Sequence, residues 1–278
     1  MIDLQAASWA GSPDRPNEDA YAALADLVIV ADGATAPATL GTGCIHGPRW
    51  YARQLVSRAT SAYTAKPESG LAEILSEAIR ATAAAHTHTC DPEHPGTPSA
   101  TVVMLRDRES TLDWLVLGDA TLVLETVAGL QMVCDERLYN SNTEARDAVL
   151  RSNALDERRA EKVATLVDLQ RRFRNVEGGF WIAASNPDAA FHALSGSEEV
   201  PAKTSWRAAL LTDGAAAAVD TYRLIDWEGL LDLLVTAGPT ALLGSIRKIE
   251  ADDSGTVSYP RIKQSDDATI AYVSGGCV

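Results

Sequence analysis

Short apolar runs rich in β-branched residues recur along the chain, and most of them end in turn residues. The run DLVIVADGA at residues 26–34 ends in Asp-Gly and predicts a buried strand leading into a turn. Two further strands are predicted over Ser99–Arg106 and Thr111–Leu117, and a third over Ala120–Val127, after Gly118-Asp119. Strands spaced this closely are typical of an antiparallel meander or hairpin series.

Apolar residues three and four positions apart predict helices elsewhere in the chain. The clearest are Arg49–Thr60, Leu71–His86 and the segment IDWEGLLDLLVTAG at residues 225–238. Between Asn140 and Asn175 the chain becomes highly charged and rich in helix-forming residues. This stretch predicts one or two amphipathic helices that stand beside the main body.

Strands return in the second half of the chain. They are predicted over GGFWIAAS (178–185), over RAALLTDGAA (207–216), where the strand ends in Asp-Gly, and over SDDATIAYVSG (265–275). This order of strands and helices predicts an α+β layered fold in which antiparallel sheets are flanked by α-helices. Because no Pro/Gly/Ser-rich hinge divides the 278 residues, one domain spanning 1–278 is expected.

Net charge excludes some classes of partner. Lys and Arg total 24 against 38 for Asp and Glu, so the formal charge is −14. Nucleic acid and anionic membranes are therefore not expected as partners, because both bind through Lys and Arg. A surplus of surface carboxylates also has an ordinary explanation in solubility. The N-terminus lacks the basic and apolar regions of a secretory signal, so a cytoplasmic location is expected.

Cysteine and histidine give no clear metal pattern. The four cysteines, Cys44, Cys90, Cys134 and Cys277, lie far apart in the sequence. The stretch AAAHTHTCDPEH at residues 83–94 resembles a metal-binding cluster superficially, but its spacing matches no zinc pattern. We expect this stretch to be a polar helix end or loop, and the thiols to be reduced and unpaired.

Aspartates placed at the ends of apolar strands are the most informative feature. Asp32, Asp119 and Asp213 follow apolar runs, Asp266-Asp267 precede one, and Asn17-Glu18-Asp19 lies near the N-terminus. One such Asp is usually a turn residue that accepts backbone hydrogen bonds. Several in one chain predict convergence, because strand ends in one sheet lie close together.

Converged carboxylates predict a site for hard cations. They repel one another and raise each other's pKa unless a cation neutralises them. Oxygen ligands favour Mg²⁺, Mn²⁺ or Ca²⁺ over Zn²⁺. Gly33 gives its carbonyl the freedom to turn towards an ion. Two ions about 3.5–4 Å apart would share a bridging carboxylate and activate a bridging water as a nucleophile.

Six segments, in this order, resemble the motifs of the PP2C (PPM) protein serine/threonine phosphatases, over nearly the whole chain. They are Asn17-Glu18-Asp19-Ala20, Val30-Ala31-Asp32-Gly33, Gly96-Thr97-Pro98-Ser99-Ala100-Thr101, Gly118-Asp119, Thr212-Asp213-Gly214 and Asp266-Asp267-Ala268-Thr269. The resemblance implies a β-sandwich flanked by α-helices. It also implies that the charged insertion at about 140–175 is the helical flap beside the active site.

The resemblance implies a role for each matched residue. Asp32 would bridge two Mg²⁺ or Mn²⁺ ions, and the Gly33 carbonyl would bind one of them. Asp213 and Asp266 would complete the second site, and Asp119 with Asp213 would lie at a weaker third site. Glu18 and Asp19 would act through metal-bound waters.

Some positions depart from the family pattern. In the family, an Arg before the acidic motif grips the substrate phosphate as a planar fork. Arg15 lies four residues before Asp19, one fewer than this pattern, and the alternative is an ordinary exposed Arg. Ala34-Thr35-Ala36 follows Asp32-Gly33, where the family has His or Met and then Gly-Gly. Ala120-Thr121 replaces the Ser-Arg that follows Gly-Asp.

The resemblance implies a signalling enzyme, a metal-dependent phosphomonoester hydrolase that dephosphorylates phospho-Ser or phospho-Thr proteins through a metal-bridged hydroxide. The absence of a convincing Cys/His or Ser/His/Asp arrangement agrees with a mechanism that needs no protein nucleophile. One alternative is a catalytically weak or inactive regulatory module that binds a phosphoprotein or another partner. Another is a hydrolase of a small phosphorylated metabolite. The sequence leaves open the substrate, the choice between Mg²⁺ and Mn²⁺, and the oligomeric state.

Overall fold

Strands and helices alternate along the chain in a computed structural model that describes residues 2–34, 36–37, 39–201 and 204–276. The strands are β1 Asp3–Trp9, β2 Ala20–Ala23, β3 Leu27–Gly33, β4 Ala100–Asp107, β5 Thr111–Leu117, β6 Thr121–Thr126, β7 Gly129–Cys134, β8 Leu194–Glu199, β9 Trp206–Leu211 and β10 Ala268–Gly275. The helices are α1 Gly47–Ala65, α2 Leu71–Ala84, α3 Arg137–Asn140, α4 Thr143–Leu150, α5 Arg159–Phe173, α6 Asp213–Asp220, α7 Trp227–Ala237 and α8 Pro239–Asp252. A 3₁₀ helix covers Pro187–His192.

The strands form two antiparallel sheets of five strands each. One sheet has the order β1-β10-β9-β6-β7, and the other has the order β2-β3-β4-β5-β8. The chain passes from the second sheet to the first between β5 and β6. The predicted meander is therefore right for β4 and β5, but wrong for β6. Gly118 allows this crossing, because its φ is +76° and a side chain there would meet Thr101.

The two sheets pack face to face, and helices cover both outer faces. Alternate residues of a strand point to opposite faces of its sheet. In β3, Val28 and Val30 therefore enter the core between the sheets, whereas Leu27 and Ile29 pack with residues of α1 and α2. Apolar residues of α6, α7 and α8 cover the other sheet. The α+β prediction is confirmed.

Four of the predicted strands match the observed elements closely. β5 covers the predicted range, and β3, β4 and β6 differ from theirs by one residue at each end. The strand predicted over residues 178–185 is wrong, because this segment is irregular and forms only isolated bridges, including Ala100 with Ala183. Asp213 does not end a strand but opens helix α6.

The charged stretch between Asn140 and Asn175 contains α4 and α5, as predicted. Arg174, directly after α5, donates hydrogen bonds to the carbonyl oxygens of Pro95 and Thr97 at 2.7 and 3.0 Å. This end of the insertion is therefore fixed to the segment that precedes β4.

No single helix in the described part of the chain is long and apolar enough to cross a membrane. The consecutive helices α7 and α8, bent by 118° relative to each other, are together long and apolar enough to do so by length and composition alone. Their apolar residues, such as Leu230, Leu234 and Leu243, are buried against the sheet.

Replacing two glycines by alanine should have opposite effects on stability. At Gly118 the positive φ and a Cβ only 2.7 Å from the Thr101 Cγ2 atom predict a loss of roughly 2 kcal/mol. At Gly244, inside α8 with no neighbour within 4 Å, alanine should add about 0.5–1 kcal/mol, because it favours the helix. Urea unfolding of Gly118→Ala and Gly244→Ala measures both. Equal effects would contradict the assigned backbone conformations.

Candidate metal centre

Strand pairing brings two acidic residues together at one end of the β2–β3 ladder. Ala20 of β2 lies opposite Ala31 of β3, so the next step of this antiparallel register places Asp19 opposite Asp32. The backbone N–H of Asp19 donates to the Asn17 side chain at 2.9 Å, which fixes the turn before β2. Both aspartates are buried, with 7% and 9% of their surface exposed.

The other sheet delivers its acidic residues in the same way. Leu211 of β9 lies opposite both Ile270 of β10 and Thr121 of β6. Asp119 lies two residues before Thr121 and Asp213 two residues after Leu211, at the same end of the β6–β9 ladder, and the charge of Asp213 raises the pKa of Asp119. Asp266 lies just before β10, and a Cβ at Gly214 would be only 3.2 Å from the Asp266 Cβ. Asp119, Asp213 and Asp266 are thus neighbours.

Hydrogen bonds join these two sets of residues into one acidic cluster, which comprises Asp19, Asp32, Asp119, Asp213, Asp266 and Asp267. The Thr212 hydroxyl donates to Asp19 Oδ2 at 3.1 Å. The Asp267 carboxylate accepts from the backbone N–H groups of Gly11 and Glu18, both at 2.7 Å. The convergence expected from the strand ends therefore occurs, and Asp267 holds the N-terminal loop against the start of β10.

Burial and mutual repulsion hold protons on this cluster. The pKa values of Asp19, Asp119 and Asp266 are each raised to about 7, and burial is the largest cause. The charge of Asp213 adds to the effect at all three. Burial, followed by the charge of Asp19, raises the pKa of Asp32 well above its usual range. In the absence of cations the cluster is electrostatically unfavourable when ionised.

Lys263 also belongs to this site, although nothing in its sequence context predicts that it does. Its Nζ lies 2.6 Å from Asp266 Oδ1. Burial lowers its pKa, but the charges of Asp266, Asp213 and Asp32 outweigh burial and raise it. The only sequence signal is a Lys three residues before an Asp, which is common on protein surfaces. A single positive charge therefore offsets part of the repulsion within the cluster.

The donors of the acidic cluster fit a hard divalent cation. Asp19 Oδ1 is buried and has no hydrogen-bond partner among the residues that the structure describes. Such an atom requires a proton, a water or a cation. The carboxylates and the carbonyl of Gly33 are oxygen ligands of the kind that Mg²⁺ and Mn²⁺ prefer. Gly33 also has no space for a side chain, since a Cβ would lie 2.8 Å from the Glu18 carbonyl oxygen.

Glu18 and Arg15 are the other two residues predicted to belong to the site. Glu18 is half-buried, and its backbone is fixed by Asp267. Arg15 lies in the β1–β2 loop with its side chain exposed, and it forms no ion pair with the described carboxylates. The structure therefore does not bring the Arg15 guanidinium into the acidic cluster.

A second cluster of potential ligands lies outside the acidic one. It consists of Cys44, His46, His86 and Cys90, called here the Cys/His cluster. Among the described residues, this is the one group of three or more Cys, His, Asp or Glu side chains whose potential metal-ligating atoms all lie within 4.8 Å of one another. The Sγ atoms of Cys44 and Cys90 are 3.1 Å apart. His86 and Cys90 lie in a helix end and turns, and Cys44 and Cys90 are unpaired thiols, as expected, but the sequence did not predict that the four side chains meet. The signal lay in two short pairs, Cys44 with His46 and His86 with Cys90, which the sequence separates by two helices.

Comparison with solved structures identifies the fold. The phosphatase PstP/Ppp of Mycobacterium tuberculosis is 16% identical, with a TM-score of 0.61 over 98% of this chain and 97% of that one. The PPM Ser-Thr phosphatase MsPP of Mycobacterium smegmatis, in complex with cacodylate, is 17% identical, with a TM-score of 0.57 and the same coverage. A structure of the PstP catalytic domain with two manganese ions is 16% identical, with a TM-score of 0.58. Scans against protein-family models and curated proteins gave no match.

The chain has the fold of the PP2C (PPM) serine/threonine phosphatases over nearly its whole length. At 16–17% identity this likeness shows the fold alone, because one fold can carry several activities.

Without divalent ions, the free energy of unfolding should fall as the pH rises from about 4 to about 7. Asp19, Asp119 and Asp266 titrate near pH 7 in the folded state against an ordinary value of 3.8. Between these values the folded state binds more protons than the unfolded state, so stability decreases with pH. Excess Mg²⁺ should therefore raise the unfolding midpoint more at pH 7.5 than at pH 5.

Asp32→Asn, with exposed Asp252→Asn as the matched control, tests whether this response arises at the acidic cluster. The Mg²⁺-induced shift at pH 7.5 should shrink in Asp32→Asn and remain in Asp252→Asn. An equal shift in both variants would show that Mg²⁺ stabilises the protein somewhere else.

Proposed function

We propose that this protein is a metal-dependent phosphomonoester hydrolase that dephosphorylates phospho-Ser or phospho-Thr proteins. The observation that carries the proposal is the acidic cluster at the ends of both sheets, in which Asp19 and Asp32 are buried and Asp19 Oδ1 lacks a partner among the described residues. Mutually repelling carboxylates, two of them buried, lower the stability of the fold. Their retention is understandable if they bind cations that the function needs. One phosphatase domain over residues 1–278 and a cytoplasmic location remain predictions.

The proposed cofactor is a pair of Mn²⁺ or Mg²⁺ ions. Asp32, the Gly33 carbonyl, Asp213 and Asp266 would hold the pair, and Asp119 would contribute to a third, weaker site. The PstP structure with two manganese ions supports this assignment by analogy of fold. When bound, such ions activate a water for attack on phosphorus and neutralise charge on the phosphoryl oxygens.

The chain's own residues would orient the reacting groups. Asp19 is held by the Thr212 hydroxyl through Oδ2, so its Oδ1 remains available to accept a hydrogen bond from water. The backbone of Glu18 is fixed by Asp267, which limits the positions its carboxylate reaches. Arg15, in the exposed β1–β2 loop, would bind two oxygens of the substrate phosphate as a fork.

A non-catalytic phosphoprotein-binding module is the second candidate, and Lys263 favours it. Its ammonium lies 2.6 Å from Asp266, close to the proposed ion sites, and neutralises part of the charge that would attract a metal. A fixed ammonium of this kind competes with a divalent ion for the same carboxylates. The exposed position of Arg15 agrees with the same alternative.

Purified protein should hydrolyse a chromogenic phosphomonoester and phosphopeptides when Mn²⁺ is supplied. Asp32→Asn should lose at least about 100-fold in kcat, because it removes a buried carboxylate that would hold the ions. Asp252→Asn should retain wild-type activity. Mn²⁺ is best withdrawn by gel filtration into metal-free buffer, since a strong chelator also strips more tightly held ions. Comparison of phosphopeptides with small phosphate esters separates a protein phosphatase from a metabolite hydrolase.

Lys263→Met distinguishes the two candidate functions. If Lys263 blocks an otherwise competent site, the wild type is inert and Lys263→Met becomes active with Mn²⁺. If both proteins are inert on every substrate, the hydrolase proposal fails and the binding module remains.

A further inference from the structure

Four soft ligands from two separate segments meet between the ends of helices α1 and α2. Cys44 and His46 precede α1, and His86 and Cys90 follow α2. His86 is buried, with 2% of its surface exposed, and the other three are half-buried. We propose that the Cys/His cluster binds a structural Zn²⁺ ion, at a site separate from the acidic cluster.

Distances within the cluster are close to those of a tetrahedral zinc site. Zinc bonds of about 2.3 Å to sulfur and 2.0–2.1 Å to nitrogen separate two sulfurs by about 3.8 Å and a sulfur and a nitrogen by about 3.6 Å. Cys44 Sγ lies 3.6 Å from His46 Nδ1 and 3.5 Å from His86 Nδ1, and Cys90 Sγ lies 3.3 Å from His46 Nδ1. The two sulfurs, 3.1 Å apart, would need to separate to bind the ion.

The surroundings of the sulfurs suit thiolates. The backbone N–H of His46 donates to Cys44 Sγ and that of Ile45 to Cys90 Sγ, both at 3.4 Å. These donors stabilise negative charge on the sulfurs. The Trp50 ring stacks on His46 with centroids 4.3 Å apart, which holds the imidazole in place.

The donor set selects the type of metal. Two thiolates and two imidazoles form the Cys₂His₂ set of structural zinc sites, whereas Mg²⁺ and Mn²⁺ prefer oxygen. All four positions would be filled by protein, so the site has no open position for substrate. Binding converts two thiols to thiolates and releases their two protons to solvent.

A Cys44–Cys90 disulfide explains the arrangement less well. Its sulfurs would have to approach from 3.1 Å to about 2.05 Å. It would also leave unexplained why His46 and His86 both direct Nδ1 at the sulfurs. A zinc ion accounts for all four side chains.

The proposed ion would fix a part of the chain that has little regular structure. Residues 36–37 and 39–46 lie between β3 and α1, and residues 85–99 lie between α2 and β4. Direct links between them include the Asp91 N–H donating to the Gly43 carbonyl oxygen at 2.8 Å. Joining residues 44 and 90 removes the freedom of a long loop, which stabilises the folded state.

This site also lies next to the proposed catalytic centre along the chain. Pro48, two residues after His46, packs against Gly33 so closely that a Cβ on Gly33 would be 3.0 Å from the Pro48 Cβ. A zinc ion that fixes His46 would thereby fix the start of α1 against Gly33.

Metal analysis of protein purified without chelators tests the proposal. We expect about one zinc per chain in the wild type, and also in the control variants Cys134→Ser and His88→Asn, whose side chains lie outside the cluster. Cys90→Ser and His86→Asn should lose the zinc. Replacement of zinc by Co²⁺ should give the visible absorption of a tetrahedral thiolate site in the wild type and both controls.

Three results would overturn the proposal. The first is a wild type that holds no zinc and gives no Co²⁺ spectrum. The second is an intact mass two units low with thiols that react only after reduction, which would show a disulfide. The third is zinc retained in all variants, which would place it elsewhere. If Cys90→Ser fails to fold, the wild-type Co²⁺ titration and the controls still decide. None of these measurements depends on phosphatase activity.

Discussion

Repulsion among the carboxylates of the acidic cluster is the constraint on which the functional end of this molecule depends. The ends of two β ladders supply these groups: Asp19 and Asp32 lie at one end of the β2–β3 ladder, and Asp119 and Asp213 lie at one end of the β6–β9 ladder. At a pH where these groups are ionised, their raised pKa corresponds to a loss of stability of the fold. Only a large, rigid core can hold such groups together, and β3, buried at all seven positions between two apolar layers, provides it.

Two kinds of cation can balance this charge, and they lead to different functions. Lys263 supplies one positive charge from within the chain, whereas divalent ions supply more charge and also the chemistry of hydrolysis. One ammonium cannot neutralise the whole cluster, since Asp19 and Asp119 keep a raised pKa in its presence. This residual repulsion favours additional cations, and hence the hydrolase over the pure binding module.

How far the sequence predicted the structure depended on burial. β3 and β4 were recognisable because strands buried on both faces form continuous apolar runs, and β5 because its buried end, Leu115–Leu117, does the same. β1, β2, β7 and β8 went unpredicted, because their exposed positions dilute the apolar pattern. The acidic residues were predictable because each follows or precedes a strand. Lys263 and the Cys/His cluster were not, since their contacts are made by irregular segments whose approach no local pattern records.

The two proposed metal sites differ in ligand type within one chain. Carboxylates and a carbonyl are typical ligands of Mg²⁺ or Mn²⁺, and the thiolates and imidazoles of the Cys/His cluster are typical ligands of Zn²⁺. The chain connects the sites through a short path, from His46 to Pro48 and across the close contact with Gly33. Zinc would therefore affect the acidic cluster through the position of α1, with no shared ligand. Loss of zinc would weaken binding of the catalytic ions without removing any of their donors, which distinguishes a positioning effect from direct participation in catalysis.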